Sequence, residues 1–330
     1  MGVRIIHSLK LIFLLFLLSA CSDQGQQDTF KAKTSIAVSA TPLSAPFFVA
    51  AAKGYFSKHG IDVILKKYQG GHLCLKAVLD GESEFGTASD YPIMLNAFKR
   101  NDYKVLVTFV SSYSDVKLLT NRKKISHVSE LKSKRIGVVT GGSSHYFLDR
   151  FLLFNSLKLG DVSIEHINPE KMPDALQQGQ VDAIAVWEPF GYVTSQKLGS
   201  DLNIFEADNF YRETFNLVAM KKHGKDKSGV ERKVILALQD SIAFIHEHPK
   251  EAQSILVKEL NLDDKFIDWI WGDFDFRLSL DQALLLTLEN ESRWAMENKV
   301  VKKGALPNYL KYIDTAPLLS IDKSAVGIIQ

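Results

Sequence analysis

The order of apolar and amphipathic stretches in this 330-residue chain predicts an α/β fold of two lobes built on one plan. Three observations carry that expectation. Strand-like runs alternate with helix-like ones from about residue 34. The rhythm restarts near residue 129. One turn then recurs in both halves: a helix ends at a glycine, and an acid three residues later opens a buried strand, as Leu79-Asp80-Gly81-Glu82-Ser83-Glu84-Phe85 and again as Gln178-Gly179-Gln180-Val181-Asp182-Ala183.

In the first half, Ser35-Ile36-Ala37-Val38-Ser39 reads as a strand. Residues 46–57 read as one helix closed by Gly60, and Ile61-Asp62-Val63-Ile64-Leu65 alternates as a second strand. Gly70-Gly71 opens a helix to Leu79. Residues 85–88 form a brief strand, 91–100 a helix and 105–110 a strand. In the second half, 135–139 is a strand, and Thr140-Gly141-Gly142-Ser143-Ser144 leads into a helix over 145–154. Residues 164–167 and 181–186 are strands, with a helix over 172–178 between them. After Ser228 the pattern turns helical, over 230–248, 251–260, 265–271 and 283–298, and these helices are expected to pack back on the first lobe.

The N-terminus reads as an address. Arg4 and Lys10 precede the apolar run Leu11–Leu18, which is shorter than the roughly 20 residues needed to span a bilayer. Small residues at Ser19-Ala20 then precede Cys21, as in a bacterial lipoprotein cleavage box. Residues 1–20 are therefore expected to be a signal peptide, Cys21 a lipidation site, and 21–33 a flexible polar tether, which places the mature chain outside the cytoplasm on a membrane anchor. The formal charge of +2 comes from 40 basic and 38 acidic side chains, and the leader's two basic residues account for all of it. A neutral body gives no sign of a nucleic-acid partner. With 46% hydrophobic and 24% charged residues the chain is a folding one, and two cysteines build no disulfide framework. Cys74 is expected to be a buried, inert thiol.

Catalytic and cofactor signatures are missing. There is no phosphate loop, no G-x-G-x-x-G, no nucleophile elbow and no H-E-x-x-H, so no enzyme, no cofactor and no metal is expected. Attention falls on the loops after the strands, where ligands of α/β sheets bind. These are 41–46, 69–72, 89–92, 111–113, 141–146 and 187–189, and none carries a lysine or arginine. Ser143, Ser144 and His145 follow a strand and open a helix, a position suited to a small anion or equally to a plain helix cap. Asp90 and Glu188 are placed at facing strand ends, where they could hold an ammonium or an amidine-like ring, or cap a helix and pair with a lysine. Ser44, Gln69, Gly70, Ser89, Tyr91, Ser112 and Trp187 complete the candidate ligand-binding set.

Several segments together resemble a known family. They are Ala45-Pro46-Phe47-Phe48-Val49-Ala50 through Gly54-Tyr55-Phe56 and Gly60-Ile61-Asp62-Val63; Ala77-Val78-Leu79-Asp80-Gly81-Glu82; Gly141-Gly142-Ser143-Ser144-His145-Tyr146; Val186-Trp187-Glu188-Pro189-Phe190; and Arg293-Trp294-Ala295 with Pro307-Asn308-Tyr309. The chain resembles the periplasmic solute-binding proteins of ABC importers of the nitrate/sulfonate/taurine (SsuA/THI5-like) type, over roughly 34–328. Glu84 departs from the family's usual Asp. The resemblance implies a type II periplasmic-binding-protein fold with crossovers near 114–120 and 215–220. Lobe one is then 34–117 plus 221–330, and lobe two 118–220. It also implies a small-molecule ligand clamped between the lobes, with Ser143, Ser144 and His145 on its anionic end, Trp187 and Glu188 beside them, and Asp90 opposite. An ABC permease is the implied partner and a monomer the implied state. The implied ligand is a small organic anion or zwitterion, with an aliphatic sulfonate or taurine preferred. A pyrimidine precursor of thiamine and a biosynthetic enzyme on the same fold are the alternatives.

Overall fold

The computed structural model describes residues 31–205, 210–221 and 228–329. The expected signal peptide, most of the tether and Cys21 lie outside the described residues. The tether was expected to run to 33, but the first strand already begins at Ala32.

In chain order the first part contains β1 (Ala32–Ser39), α1 (Ala45–Ala52), α2 (Tyr55–Lys58), β2 (Ile61–Tyr68), α3 (Gly71–Leu79), β3 (Phe85–Ser89), α4 (Asp90–Ala97) and β4 (Tyr103–Ser112). The second part contains β5 (Lys117–Asn121), β6 (Arg135–Val138), α5 (Ser143–Phe154), β7 (Ser163–His166), α6 (Met172–Gln177), β8 (Ala183–Val186), α7 (Phe190–Leu198) and β9 (Leu202–Phe205). Then follow β10 (Glu213–Met220), α8 (Ser228–Glu247), α9 (Pro249–Leu260), α10 (Asp264–Ile270), β11 (Phe274–Ser279), α11 (Gln282–Glu297) and α12 (Ala316–Leu319).

The strands form two sheets, ordered β2-β1-β3-β10-β4-β11 and β7-β6-β8-β5-β9. β1 runs parallel to β2 and β3, and β6 runs parallel to β7 and β8. β10 is antiparallel to both β3 and β4, and β5 is antiparallel to both β8 and β9. Each sheet thus has the same second-first-third-fourth order, with one antiparallel strand inserted before the fourth. In both sheets the inserted strand is the one that has just arrived from the other lobe. This shared plan is what the repeated glycine turn pointed to.

The crossovers sit a few residues from where they were expected. The chain changes sheets between Ser112 and Lys117 and returns between Phe205 and Glu213. Residues 213–220, expected in lobe two, are instead an interior strand of the first sheet. The apolar run in β10 is nearly all buried and fits the middle of either sheet, so its sequence does not choose between them. Strands β9 and β11 had no counterpart in the sequence pattern. The single helix expected over 46–57 is two helices: α1 stops at Ala52, and Gly54 takes φ +71° before α2 begins. Only glycine adopts that conformation without strain.

The core follows the apolar runs. Val105, Leu106, Val107, Phe109 and Val110 of β4 are fully buried, as are the four residues of β8. At Gly86 of β3 a side chain would come within 2.8 Å of the Cys74 carbonyl, so the glycine lets α3 lie directly on the strand. The C-terminal helices do pack on the first lobe. The Ser241 hydroxyl of α8 donates to the Pro46 carbonyl (2.6 Å), and Lys58 and His59 both reach Asp240 at 2.8 Å.

Candidate functional site

The loops after the parallel strands of the two sheets meet across one seam, as doubly wound sheets require of a ligand site. Tyr91 of α4 donates its hydroxyl to the Gly141 carbonyl, 2.6 Å away at the head of α5. The Trp294 indole of α11 packs edge-on against His145 (5.1 Å between centroids) and Tyr146 (5.5 Å), both on α5. On the other side of the seam, Trp269 of α10 donates to Glu188 (2.9 Å), and Tyr192 of α7 donates to Asp263 (3.0 Å).

Beside the first crossover the seam holds a paired cluster. The buried Lys117 ammonium at the head of β5 lies 3.1 Å from Glu188 and 2.8 Å from Asp273. Burial opposes its charge, but the two carboxylates prevail and hold its pKa above the usual value. Glu188 also accepts from the Tyr192 amide at 2.9 Å. Asp115 is buried nearby. Desolvation pushes its carboxyl up to about 7, against the pull of Lys117 and with the push of Glu188 and Asp273. A cavity of about 230 Å³ opens here, lined in part by Thr41, Leu43, Asp115, Glu188, Tyr192 and Phe274.

At the α5 side the seam holds acids of a different kind. Asp90, Glu213 and Glu291 are all buried. Asp90 accepts from the Thr214 amide (2.8 Å) and hydroxyl (3.1 Å), from the Tyr91 amide (2.9 Å) and from the Tyr211 hydroxyl (3.4 Å). Desolvation outweighs these bonds and raises its carboxyl to about 6. Glu213 is pushed well above the carboxylate range by burial and then by the charges of Asp115 and Asp90, although the Ser89 hydroxyl works the other way. Glu291 is pushed well up by burial and by the charges of Asp90 and Glu213. Among the described residues no lysine or arginine forms an ion pair with any of the three. Tyr91, Tyr146, Tyr211 and Trp294 form an aromatic wall around them.

Several predicted residues come to this seam with their polar atoms already engaged. The Ser144 hydroxyl is fully buried and accepts from the Val139 amide (3.1 Å), and His145 Nδ1 accepts from the Gly141 amide (3.2 Å), so both hold their own loop together. Burial lowers the His145 pKa. Ser143 is the first residue of α5 and half-buried. Ser112 accepts from the Ser114 amide (3.0 Å), and Ser44 lies 3.4 Å from the Ser39 hydroxyl. Trp187 is half-buried against Phe190, Gln69 is exposed, and Gly70 takes φ +107° before α3. Cys74 is buried, and desolvation pushes its thiol up to about 12.

Sequence reasoning passed over Glu213, Tyr211, Lys117, Glu291 and the role of Trp294. One signal was available. Leu284, Leu288, Glu291 and Ala295 follow the i, i+4, i+7, i+11 spacing of one helix face, so a glutamate stands in the middle of an apolar stripe.

Two lobes on one plan with polar loops facing across a seam define the class, a two-lobed α/β protein with an interlobe cleft. The chain belongs to the NMT1/THI5 like family, whose model matches residues 41–252. A Bacillus subtilis (strain 168) protein named for binding aliphatic sulfonates is 25% identical over 264 residues, covering 78% of this chain and 79% of that one. The taurine-binding periplasmic protein of Escherichia coli (strain K12) is 28% identical over 156 residues, covering 47% and 48%. Among solved structures, the periplasmic aliphatic sulphonate binding protein SsuA from Escherichia coli matches with a TM-score of 0.72 at 18% identity, over 86% of this chain and 92% of that chain. That likeness shows the periplasmic-binding-protein fold.

Proposed function

We propose that this chain is the extracytoplasmic solute-binding receptor of an ABC importer and not an enzyme. It takes a small organic anion or zwitterion, with an aliphatic sulfonate or taurine as the preferred solute, and delivers it to a permease. The observation that carries this is the seam itself, where both lobes contribute aromatic rings and polar groups to one buried region. A ligand held there is clamped by lobe closure, and the closed pair of lobes is the surface a permease reads. The names of the relatives support the solute class. Lipidation of Cys21 would keep the receptor beside its permease, and Cys21→Ser is expected to move the protein from the membrane fraction to the soluble one.

The test is a thermal-shift and equilibrium-binding panel on the chain lacking its first 20 residues, with sulfonates, taurine, nitrate, amino acids and pyrimidines. Stabilisation by a sulfonate or taurine is expected. No stabilisation by any member would overturn this assignment.

A further inference from the structure

Glu291 is fully buried, and neither of its carboxyl oxygens finds a donor among the described residues. Where it meets a polar side chain, that side chain is Asp90, another acid, which satisfies it only if one of the two takes up a proton. One turn along the same helix, Trp294 is 2% exposed and its buried indole N–H finds no acceptor among the described residues. Glu213 Oε2 is buried and has no partner among the described residues, although the same carboxyl hydrogen-bonds with Asp115 and Ser89. Leaving a buried polar group without its partner is unfavourable, and more so for a charged one. Three such groups in one place are therefore a standing penalty on the closed seam.

Their position says what would relieve it. Glu291 and Trp294 come from the first lobe, and Tyr146 and His145 close over Trp294 from the second. Opening the lobes exposes the orphaned groups to water, and closing them again requires a substitute for that water. The Glu291 carboxyl and the second oxygen of Glu213 ask for N–H donors, preferably cationic ones. The aromatic faces of Tyr91, Tyr146 and Trp294 favour a cation over a neutral donor. The indole N–H asks for an acceptor nearby. Asp90 cannot supply the recognition by itself, because its oxygens already accept from Thr214, Tyr91 and Tyr211.

We infer that Glu291, with Glu213 and Trp294, forms the subsite for a protonated or N–H-rich nitrogen of the solute, and that the solute carries an oxygen acceptor beside that nitrogen. This rests on the receptor reading above and narrows it. Solutes with an ammonium or amidine-like nitrogen fit, and purely anionic ones do not fill the subsite.

Matched pairs that differ by the nitrogen test this: taurine with ethanesulfonate, and β-alanine with propionate. Binding is measured by calorimetry in sodium phosphate, since amine buffers would compete. In at least one pair the nitrogen-bearing member is expected to bind at least about tenfold more tightly, as the loss of a hydrogen bond to a charged group implies. Glu291→Gln keeps the shape but offers N–H groups of its own, and is expected to remove that preference. Trp294→Phe keeps the ring and is expected to weaken binding without abolishing the preference, which also covers a Glu291→Gln protein that fails to fold. If the nitrogen-free members bind equally well, or Glu291→Gln keeps the preference, the inference is overturned while the receptor reading stands. If no nitrogen-bearing member of any pair binds, the inference is overturned, and the receptor reading falls as well only if the wider panel of sulfonates, nitrate, amino acids and pyrimidines is also silent.

Discussion

The two ends of the seam are built from similar acids and differ in one residue. Beside the crossover, Glu188 and Asp273 flank Lys117, which supplies a cation of the protein's own. At the head of α5, Asp90, Glu213 and Glu291 are equally buried, and among the described residues no cation pairs with them. A buried carboxylate beside a fixed ammonium ties the fold together, whereas one without any is costly until something else arrives. On the inference above, the first end serves structure and the second recognition.

Removing the cation from the paired end should have the largest effect. Lys117→Met strands Glu188 and Asp273 and should lower unfolding stability by about 3–5 kcal/mol in a denaturant titration, the range for breaking a buried pair. A loss under about 1 kcal/mol would erase the distinction between the two ends.

At the unpaired end the sign reverses. Glu291→Gln replaces an acid whose ionisation burial opposes with a neutral amide and should raise stability at pH 8 by about 1–3 kcal/mol, the scale of leaving a buried group unsatisfied. The pH dependence follows from the direction of the shifts. A carboxyl whose pKa is raised by folding holds a proton that the unfolded chain has released, so its stabilisation is present at low pH and lost as pH rises through the raised value. For Asp90 the loss runs from 3.8 to about 6, and for Asp115 from 3.8 to about 7. The ligand-free protein is thus expected to melt at lower temperature at pH 8 than at pH 5, and Glu291→Gln should flatten that slope.

Smaller effects should come from the loops. Ser144→Ala leaves the Val139 amide without its acceptor and should cost about 1 kcal/mol of stability. A larger loss of ligand affinity than of stability would return Ser144 to the solute, as its place at a helix start first suggested. Tyr91→Phe breaks only the bond to Gly141 across the seam and should cost about 0.5–1.5 kcal/mol.

Much of the fold was legible because it is written locally. The glycine turns at Gly81 and Gly179 and the alternating runs marked most helices and strands of both lobes. The return crossover was misplaced because sheet membership is decided by partners far along the chain: Glu213 pairs with Ser112, and Phe215 with Ser89. The site was legible only in part for the same reason. Asp90 and Glu188 were visible as strand-end acids, but the groups that engage them, Thr214 and Trp269, lie 124 and 81 residues away. Glu291 lay in plain sight as an acid on an apolar helix face, and its lack of an ion-pair partner among the described residues emerges only once the lobes are folded together.

A crystal structure of the chain with the tightest nitrogen-bearing solute of the matched pairs tests the central claim most directly. The solute nitrogen should lie at about 3 Å from a Glu291 oxygen, with an acceptor toward the Trp294 indole N–H. A solute bound with Glu291 still lacking a donor, or seated instead in the cavity beside Lys117 and Glu188, would contradict it.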